Sequence, residues 1–256
     1  MLIGDDAHLF AELSAILARK RAYLPVLDGP RIHRPDLDHE VIRRNNAVAF
    51  IQPERILLAG LPASTCDLFA PYFHHAQKVS SSAEVLAEFP SVQQRATLTW
   101  GKNRVGLGLL RALRNRQRLG FDDTESPSEG VALDSRHVVL CEEGDEQAQV
   151  VAANYAFSIE AGLVLIPSFP TDEAEALLED LYNLGYNPAV SAATFLPSLK
   201  EHLRSHVGAL KLADNATITF VTAKLPWGFA FPEFPSTHLF LYPNLGIALI
   251  KNRCRH

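Results

Sequence analysis

The sequence predicts an α/β fold built on a doubly wound, mainly parallel sheet. A short, continuously apolar run at residues 55–59 leads into a turn and then a segment with helical spacing, and residues 96–100 and 137–141 begin two repeats of this pattern. Strands that alternate with helices in this way form parallel sheets with right-handed crossovers, the Rossmann-like arrangement. With 256 residues, 47% of them hydrophobic, the chain is long enough to bury a substantial core.

The first fifty residues are predicted to be helical. Apolar residues recur from Leu9 at positions i, i+4, i+7 and i+8, which predicts a helix over residues 8–24 with Asp5 and Asp6 placed to cap it. A loop rich in proline follows, and a second helix is predicted over residues 36–50.

The central segment repeats one unit. Its predicted strands share apolar runs that suit burial on both faces, and its predicted helices follow turns rich in glycine, hydroxyl or acidic residues. In order, the elements are strand 55–59, helix 67–73, strand 96–100, helix 104–116, strand 118–121, strand 137–141, helix 146–161 and strand 163–166. We expect Gly162 to end the helix before the last of these strands.

The pattern changes after residue 170. Helices are predicted over residues 172–184 and 196–210, and strands over residues 217–222, 238–242 and 246–250, joined as an antiparallel extension by proline turns. The predicted organisation is therefore an N-terminal helical segment (1–50), an α/β core (51–170) and a C-terminal part (171–256).

Composition excludes several classes of protein. No run of 18 apolar residues exists, and the first ten residues lack the basic start of a signal peptide. The three cysteines Cys66, Cys141 and Cys254 are too widely spaced for a disulfide framework or a metal knuckle. These features predict a cytoplasmic protein without a membrane segment.

Charge is segregated along the chain. Residues 95–118 contain seven basic residues and no acidic one, whereas residues 122–180 contain fifteen acidic residues and one basic one. Adjacent blocks of opposite sign are typical of solvated faces or of segments that pair with each other or with another surface.

Three predicted strand ends are candidate sites because ligands bind beyond the carboxyl ends of parallel strands. The first is the turn after residue 59, where Ser64 and Thr65 predict either a plain helix N-cap or an anion site. Cys66, in the following helical turn, has favourable electrostatics for a thiolate but is interpreted as a packing residue.

The second strand end, Gly-Lys-Asn-Arg-Val-Gly-Leu-Gly at residues 101–108, begins like a phosphate-binding turn. A P-loop places lysine and a hydroxyl residue after its second glycine, and neither is present here. Two interpretations stay open: the glycines allow close helix packing, or Lys102, Arg104 and Arg111 bind an anionic ligand.

The third strand end, at residues 141–146, contains four carboxylates. Capping of the following helix by Asp145 or Glu146 accounts for only one or two of them. Glu142 and Asp145 are therefore candidate ligand-binding residues, for a ribose hydroxyl or a basic partner.

A divalent cation is the other hypothesis for this acidic turn. Glu143 would then join Asp122 and Asp123, which follow the predicted strand 118–121, if the two strands are neighbours. No motif identifies a cofactor.

A catalytic alternative pairs Cys141 as nucleophile with His238, with Glu142 and Glu143 as further candidates. The neighbouring carboxylates argue against a reactive thiol, because they raise its pKa.

Aromatic residues cluster near the C-terminus, interleaved with prolines and with a single charge among them. The candidate partner-binding residues are Trp227, Phe229, Phe231, Phe234 and Tyr242, with Phe240 beside them. The apolar last strand predicts a domain of a longer protein or an edge completed by another subunit.

These features together predict a non-catalytic recognition or regulatory module that binds a partner protein, its own longer chain or a nucleotide-like ligand. A hydrolase or nucleotide-processing enzyme is the first alternative. Nucleic-acid binding through the basic helix 104–118 is the second, and the scarcity of basic residues around the aromatic cluster argues against nucleic acid at that cluster.

Overall fold

A computed structural model of the chain describes residues 2–4, 6–18, 25–27, 52–69, 75–127, 136–167, 216–222, 236–242 and 246–252, with the isolated positions 49, 71, 73, 201, 205, 206, 210 and 213. The predicted helix 172–184 and the aromatic segment before residue 236 lie outside these residues, as does most of the predicted helices 36–50 and 196–210. The described part combines helices with small, mainly parallel sheets, an α/β architecture.

The strands and helices are numbered along the chain. The strands are β1 (Leu2–Gly4), β2 (Pro25–Leu27), β3 (Ile56–Ala59), β4 (Ala76–Val79), β5 (Thr97–Gly101), β6 (Arg118–Asp122), β7 (His137–Glu142), β8 (Gly162–Ile166), β9 (Thr217–Thr222), β10 (Ser236–Tyr242) and β11 (Gly246–Asn252). The helices are α1 (Ala7–Leu17), α2 (Ala63–Phe69), α3 (Ser82–Leu86), α4 (Pro90–Gln93), α5 (Val105–Asn115) and α6 (Glu146–Ser158), and a 3-10 turn, Lys102–Arg104, precedes α5.

The strands of the described residues form three sheets. Their orders are β2-β1-β3-β4, β5-β6 and β11-β10-β9-β7-β8. All neighbours are parallel except β10 and β11, which are antiparallel.

The single doubly wound sheet expected over residues 50–170 is therefore not confirmed, because its strands are divided among the three sheets. The expected antiparallel extension is also only partly observed, since β10 runs parallel to β9. Apolar patterning reports which faces of a strand are buried and does not specify its lateral neighbour.

Strand β3 is buried on both faces, as its apolar run predicts. Leu57 and Ala59 face the main core, whereas Ile56 and Leu58 face a smaller core that includes Phe69 of α2. Alternate residues of a strand point to opposite sides, so this short strand joins two cores.

The main core lies among α1, α5 and α6 and draws side chains from all three sheets. Strand β1 pairs with β3, and α1 packs in this same core.

The glycines of α5 allow close packing. This agrees with one of the two interpretations of residues 101–108. A Cβ atom on Gly108 would lie 2.6 Å from the Trp100 ring of β5, and one on Gly106 would lie 2.7 Å from the carbonyl oxygen of Gln149 on α6. The first contact joins helix to strand and the second joins helix to helix.

Two helix ends show which capping predictions are correct. Asp6 caps α1 by accepting hydrogen bonds from the backbone N–H groups of His8 and Leu9, each at 3.0 Å. The expectation that Gly162 ends α6 is wrong: Glu160, with φ of 58°, makes the left-handed turn, and Gly162 begins β8. Within the described residues, no helix is both long enough and apolar enough to cross a bilayer.

Candidate functional site

The carboxyl ends of β5, β6 and β7 meet the start of α1 in one group of loops. This loop cluster comprises residues 6–8, 101–106, 122–126 and 142–149. Contacts within it bring the second and third predicted sites together, so residues that are widely spaced in sequence share one surface.

The first link is an ion pair between the predicted anion-binding and metal-binding residues. The Lys102 Nζ donates to Asp123 Oδ1 at 2.8 Å, and both side chains are exposed. The hydrogen bond, reinforced by opposite charge, lowers the pKa of Asp123 and raises the pKa of Lys102. The neighbouring Asp122 accepts from the backbone N–H and hydroxyl of Thr124, so it closes its own turn.

A second ion pair joins the same basic turn to the end of β7. One guanidinium nitrogen of Arg104 lies 3.5 Å from Glu143 Oε1, and another donates to the carbonyl of Ser126. The Ser126 hydroxyl in turn accepts from the backbone N–H of Gly101. A side chain at Gly101 would lie 2.1 Å from the Thr124 carbonyl, so glycine is required for this close approach.

Gln149 is the central buried polar residue of the loop cluster, with no exposed surface. Its Oε1 accepts from the backbone N–H of Gly106 at 3.1 Å, and its Nε2 donates to the carbonyl of Glu143 at 2.6 Å. Sequence reasoning missed Gln149 because it reads as an ordinary helical residue; a polar residue on an otherwise apolar helix face was the available signal.

His8 links α1 to the 3-10 turn before α5 and to the start of α6. It was not identified as a candidate from the sequence. Its Nε2 lies 3.2 Å from the carbonyl oxygen of Lys102, and its Nδ1 lies 3.7 Å from a carboxylate oxygen of Glu146. The ring also meets Phe121 edge to face, with centroids 4.8 Å apart. No local motif surrounds His8, so only the fold reveals these contacts.

Three helices begin in the loop cluster, and each is capped by a side chain of the protein itself. Asp6 caps α1, Gln149 accepts from the N–H of Gly106 in α5, and Asp145 accepts from the N–H of Ala148 in α6 at 3.0 Å. Asp145 is buried and acts as the cap that the sequence predicted. These contacts use N–H groups that a phosphate would otherwise bind.

Arg111, on α5, packs against Trp100 of β5. Its guanidinium carbon lies 5.0 Å from the centre of the Trp100 ring, where a cation–π contact forms. The same ring donates from its Nε1 to the Arg104 carbonyl at 3.1 Å, so Arg111 packs beside the basic turn that the anion-site hypothesis includes.

The proposed Cys141 and His238 pair is not brought together by the strand register. His238 pairs with Phe220, and Phe220 pairs with Leu140, so two strand spacings, roughly 10 Å, separate β10 from β7. Cys141 is fully buried, and burial, followed by the charges of Asp145 and Glu142, raises its pKa well above the ordinary value. Glu142 is also buried.

The first predicted site differs from its sequence interpretation. Helix α2 begins at Ala63, so Ser64 and Thr65 lie within its first turn and are not N-caps. Gly60 adopts φ of 65°, a conformation that favours glycine. Cys66 is buried, and its thiol donates to the Leu61 carbonyl at 3.7 Å, which fits the packing interpretation.

The aromatic cluster is described only at its end. Phe240 and Tyr242 lie on β10, paired in register with Thr222 and Gly246. The other candidate partner-binding residues, Trp227, Phe229, Phe231 and Phe234, lie outside the described residues.

Among the described residues, no group of three or more histidine, cysteine or acidic side chains is arranged to hold a metal ion. The metal hypothesis for Asp122, Asp123 and Glu143 therefore gains no support from their positions. No protein-family model, curated protein or solved structure matches this chain.

Proposed function

We propose that the protein is a non-catalytic recognition module that presents the loop cluster to a partner protein. The observation that carries this proposal is that the polar groups expected to do chemistry bind one another. Lys102 binds Asp123, Arg104 binds Glu143, and Gln149 joins the turns behind them.

These contacts hold the loops in a defined arrangement and leave charged groups facing outward. Lys102, Asp123 and Glu146 are exposed, so both signs of charge are present on this surface. Complementary charges at an interface increase the rate of encounter and select among partners, so a surface of this kind suits protein recognition.

A charge-swapped variant tests the proposal. Lys102→Asp combined with Asp123→Lys retains the internal ion pair but reverses the outward charge pattern. We expect circular dichroism to show that the variant stays folded. A photocrosslinker at Glu125 is expected to capture the partner protein in wild type but not in the variant. A crosslinker at Glu54, which is exposed and is not one of the residues of the loop cluster, is the matched control.

Capture that survives the charge swap, or equal capture from Glu54, would refute the role of the loop cluster. Deleting residues 225–256 would not be a clean test of the aromatic cluster, because it removes β10 and β11 and leaves the edge of β9 unpaired.

A nucleotide-like ligand is the competing outcome. A ligand at 100 times its Kd adds about 2.7 kcal/mol to the free energy of unfolding, which a thermal-shift panel of nucleotides with Mg²⁺ would detect. A shift in wild type that disappears in Lys102→Ala would replace the partner protein with a nucleotide-like ligand.

A further inference from the structure

A second charged surface lies at the opposite end of β5 and β6. Two segments meet there, residues 93–95 (Gln-Gln-Arg) and 115–118 (Asn-Arg-Gln-Arg). The backbone N–H of Arg118 donates to the Ala96 carbonyl at 2.9 Å, and its Nε donates to the Arg95 carbonyl at 3.1 Å. We call these seven residues the arginine patch.

The three arginines of this patch differ from four other described cations. Arg55, Lys78, Lys102 and Arg104 each form an ion pair with a carboxylate. Within the described part of the chain, no such pair involves Arg95, Arg116 or Arg118. The patch therefore keeps its positive charge although the whole protein carries a net charge of -5.

Backbone contacts form the end of α5, so the helix end does not depend on the charges of the patch arginines. Arg116, with φ of 60°, makes the left-handed turn, and the N–H of Gln117 donates to the Ala112 carbonyl at 2.9 Å. In the last turn of the helix, the Arg114 side chain donates to the Ala161 carbonyl at 2.7 Å. Arg116 is exposed, so its guanidinium is available to another molecule.

The composition of the patch indicates the kind of partner. All seven residues are arginine, glutamine or asparagine, so the patch carries charge of one sign only, whereas the loop cluster combines basic and acidic residues. Interfaces with nucleic acid are more polar and more positive than those between proteins, and most of their hydrogen bonds reach phosphate or sugar. Guanidinium groups also match phosphate geometry with two parallel hydrogen bonds.

We propose that the arginine patch binds the phosphate backbone of a nucleic acid. Strands β5 and β6 begin at the patch and end at the loop cluster, roughly 13 Å away at about 3.3 Å per residue. The two surfaces can therefore be tested separately, and failure of either proposal leaves the other intact.

The test measures binding of labelled duplex DNA, single-stranded DNA and an RNA hairpin by fluorescence anisotropy over a salt series. Three phosphate contacts on duplex DNA give a slope of about -2.7 in log K against log salt, or about 40-fold weaker binding between about 50 and 200 mM. Comparison of the three nucleic acids shows which form of the backbone is preferred.

Matched double variants locate the contact. Arg116→Gln with Arg118→Gln is expected to reduce the slope to about -0.9, because two of three phosphate contacts are lost. Arg55→Gln with Lys78→Gln removes the same charge from cations that are already paired and is expected to leave the slope unchanged. If the patch variant unfolds, the single change Arg116→Glu at an exposed position replaces it, with Lys78→Glu as control.

The proposal is overturned if wild type binds none of the three nucleic acids at low salt. It is also overturned if both double variants lose binding equally, since net charge would then explain the affinity. Equal competition by polyglutamate, at the same concentration of charge, would assign the patch to an acidic protein.

Discussion

Replacing the buried Gln149 with leucine is expected to destabilise the protein by about 1–3 kcal/mol. The change removes an acceptor 3.1 Å from the Gly106 N–H and a donor 2.6 Å from the Glu143 carbonyl. The Gly106 N–H is buried, so leaving it without a partner costs about 1–3 kcal/mol.

Two smaller effects determine the net value. The hydrogen bond to the Glu143 carbonyl is partly buried, and its loss lowers the free energy of unfolding by about 1 kcal/mol. Burial of the larger apolar surface of leucine raises the free energy of unfolding by about 1 kcal/mol. At this chain length, a net loss of about 1–3 kcal/mol lowers the Tm by roughly 2–10 °C.

Urea unfolding followed by circular dichroism measures the change as a lower midpoint at constant m value. The same substitution at exposed Gln94 is the control and is expected to lie within about 0.5 kcal/mol of wild type. Equal stability of Gln149→Leu and wild type would show that Gln149 does not hold the loops together.

Gln149→Glu adds a test of hydrogen-bond direction. A protonated glutamate can accept from Gly106 and donate to the Glu143 carbonyl, whereas the ionised form cannot donate. The folded-state pKa of this carboxyl is therefore expected to lie above its unfolded value. Stability should be close to wild type below the ordinary pKa of glutamate and should fall as pH rises through the folded pKa; a loss independent of pH would contradict this.

Three further predictions concern packing, backbone strain and pH. Gly108→Ala is expected to lower stability by about 1–3 kcal/mol, because its Cβ would overlap the Trp100 ring, while Gly120→Ala, with its nearest contact at 3.5 Å, should have little effect on the Tm. Glu160→Gly should stabilise the protein by about 1 kcal/mol in urea unfolding, because glycine adopts the left-handed conformation freely. Burial raises the pKa of Glu12 more than its hydrogen bond lowers it, so Glu12→Gln should stabilise the protein at neutral pH and lose this effect below the ordinary pKa of glutamate, as a pH series of unfolding curves would show.

For each of these three predictions, a specific result would contradict the physical reason given. Equal Tm values for the two alanine variants would mean that the core accommodates the added methyl group. Ser158→Gly, in the right-handed last turn of α6, should destabilise, so stabilisation by both glycine variants would contradict the strain argument. A stability difference for Glu12→Gln that does not change with pH would exclude the carboxyl charge as its cause.

The α/β class and most central elements were predictable because apolar periodicity directly reports burial. The predicted strand at residues 55–59 and the predicted helix at 104–116 agree with β3 and α5 to within one residue at each end. Strand β1 was missed because three residues are too few for a periodic signal, and β4 because its sequence, Ala-Gln-Lys-Val, has little apolar character.

The sequence alone determined which segments are apolar enough to be buried and where like charges accumulate, since both are properties of residues near each other in the chain. Only the tertiary structure decided that the basic turn at residues 101–104 binds the acidic strand ends and that Gln149 and His8 join the loops behind them. Among the described residues, it also left the arginines of the patch without an ion pair. These outcomes depend on which strands become neighbours, and that choice is made by packing over the whole core rather than by local sequence.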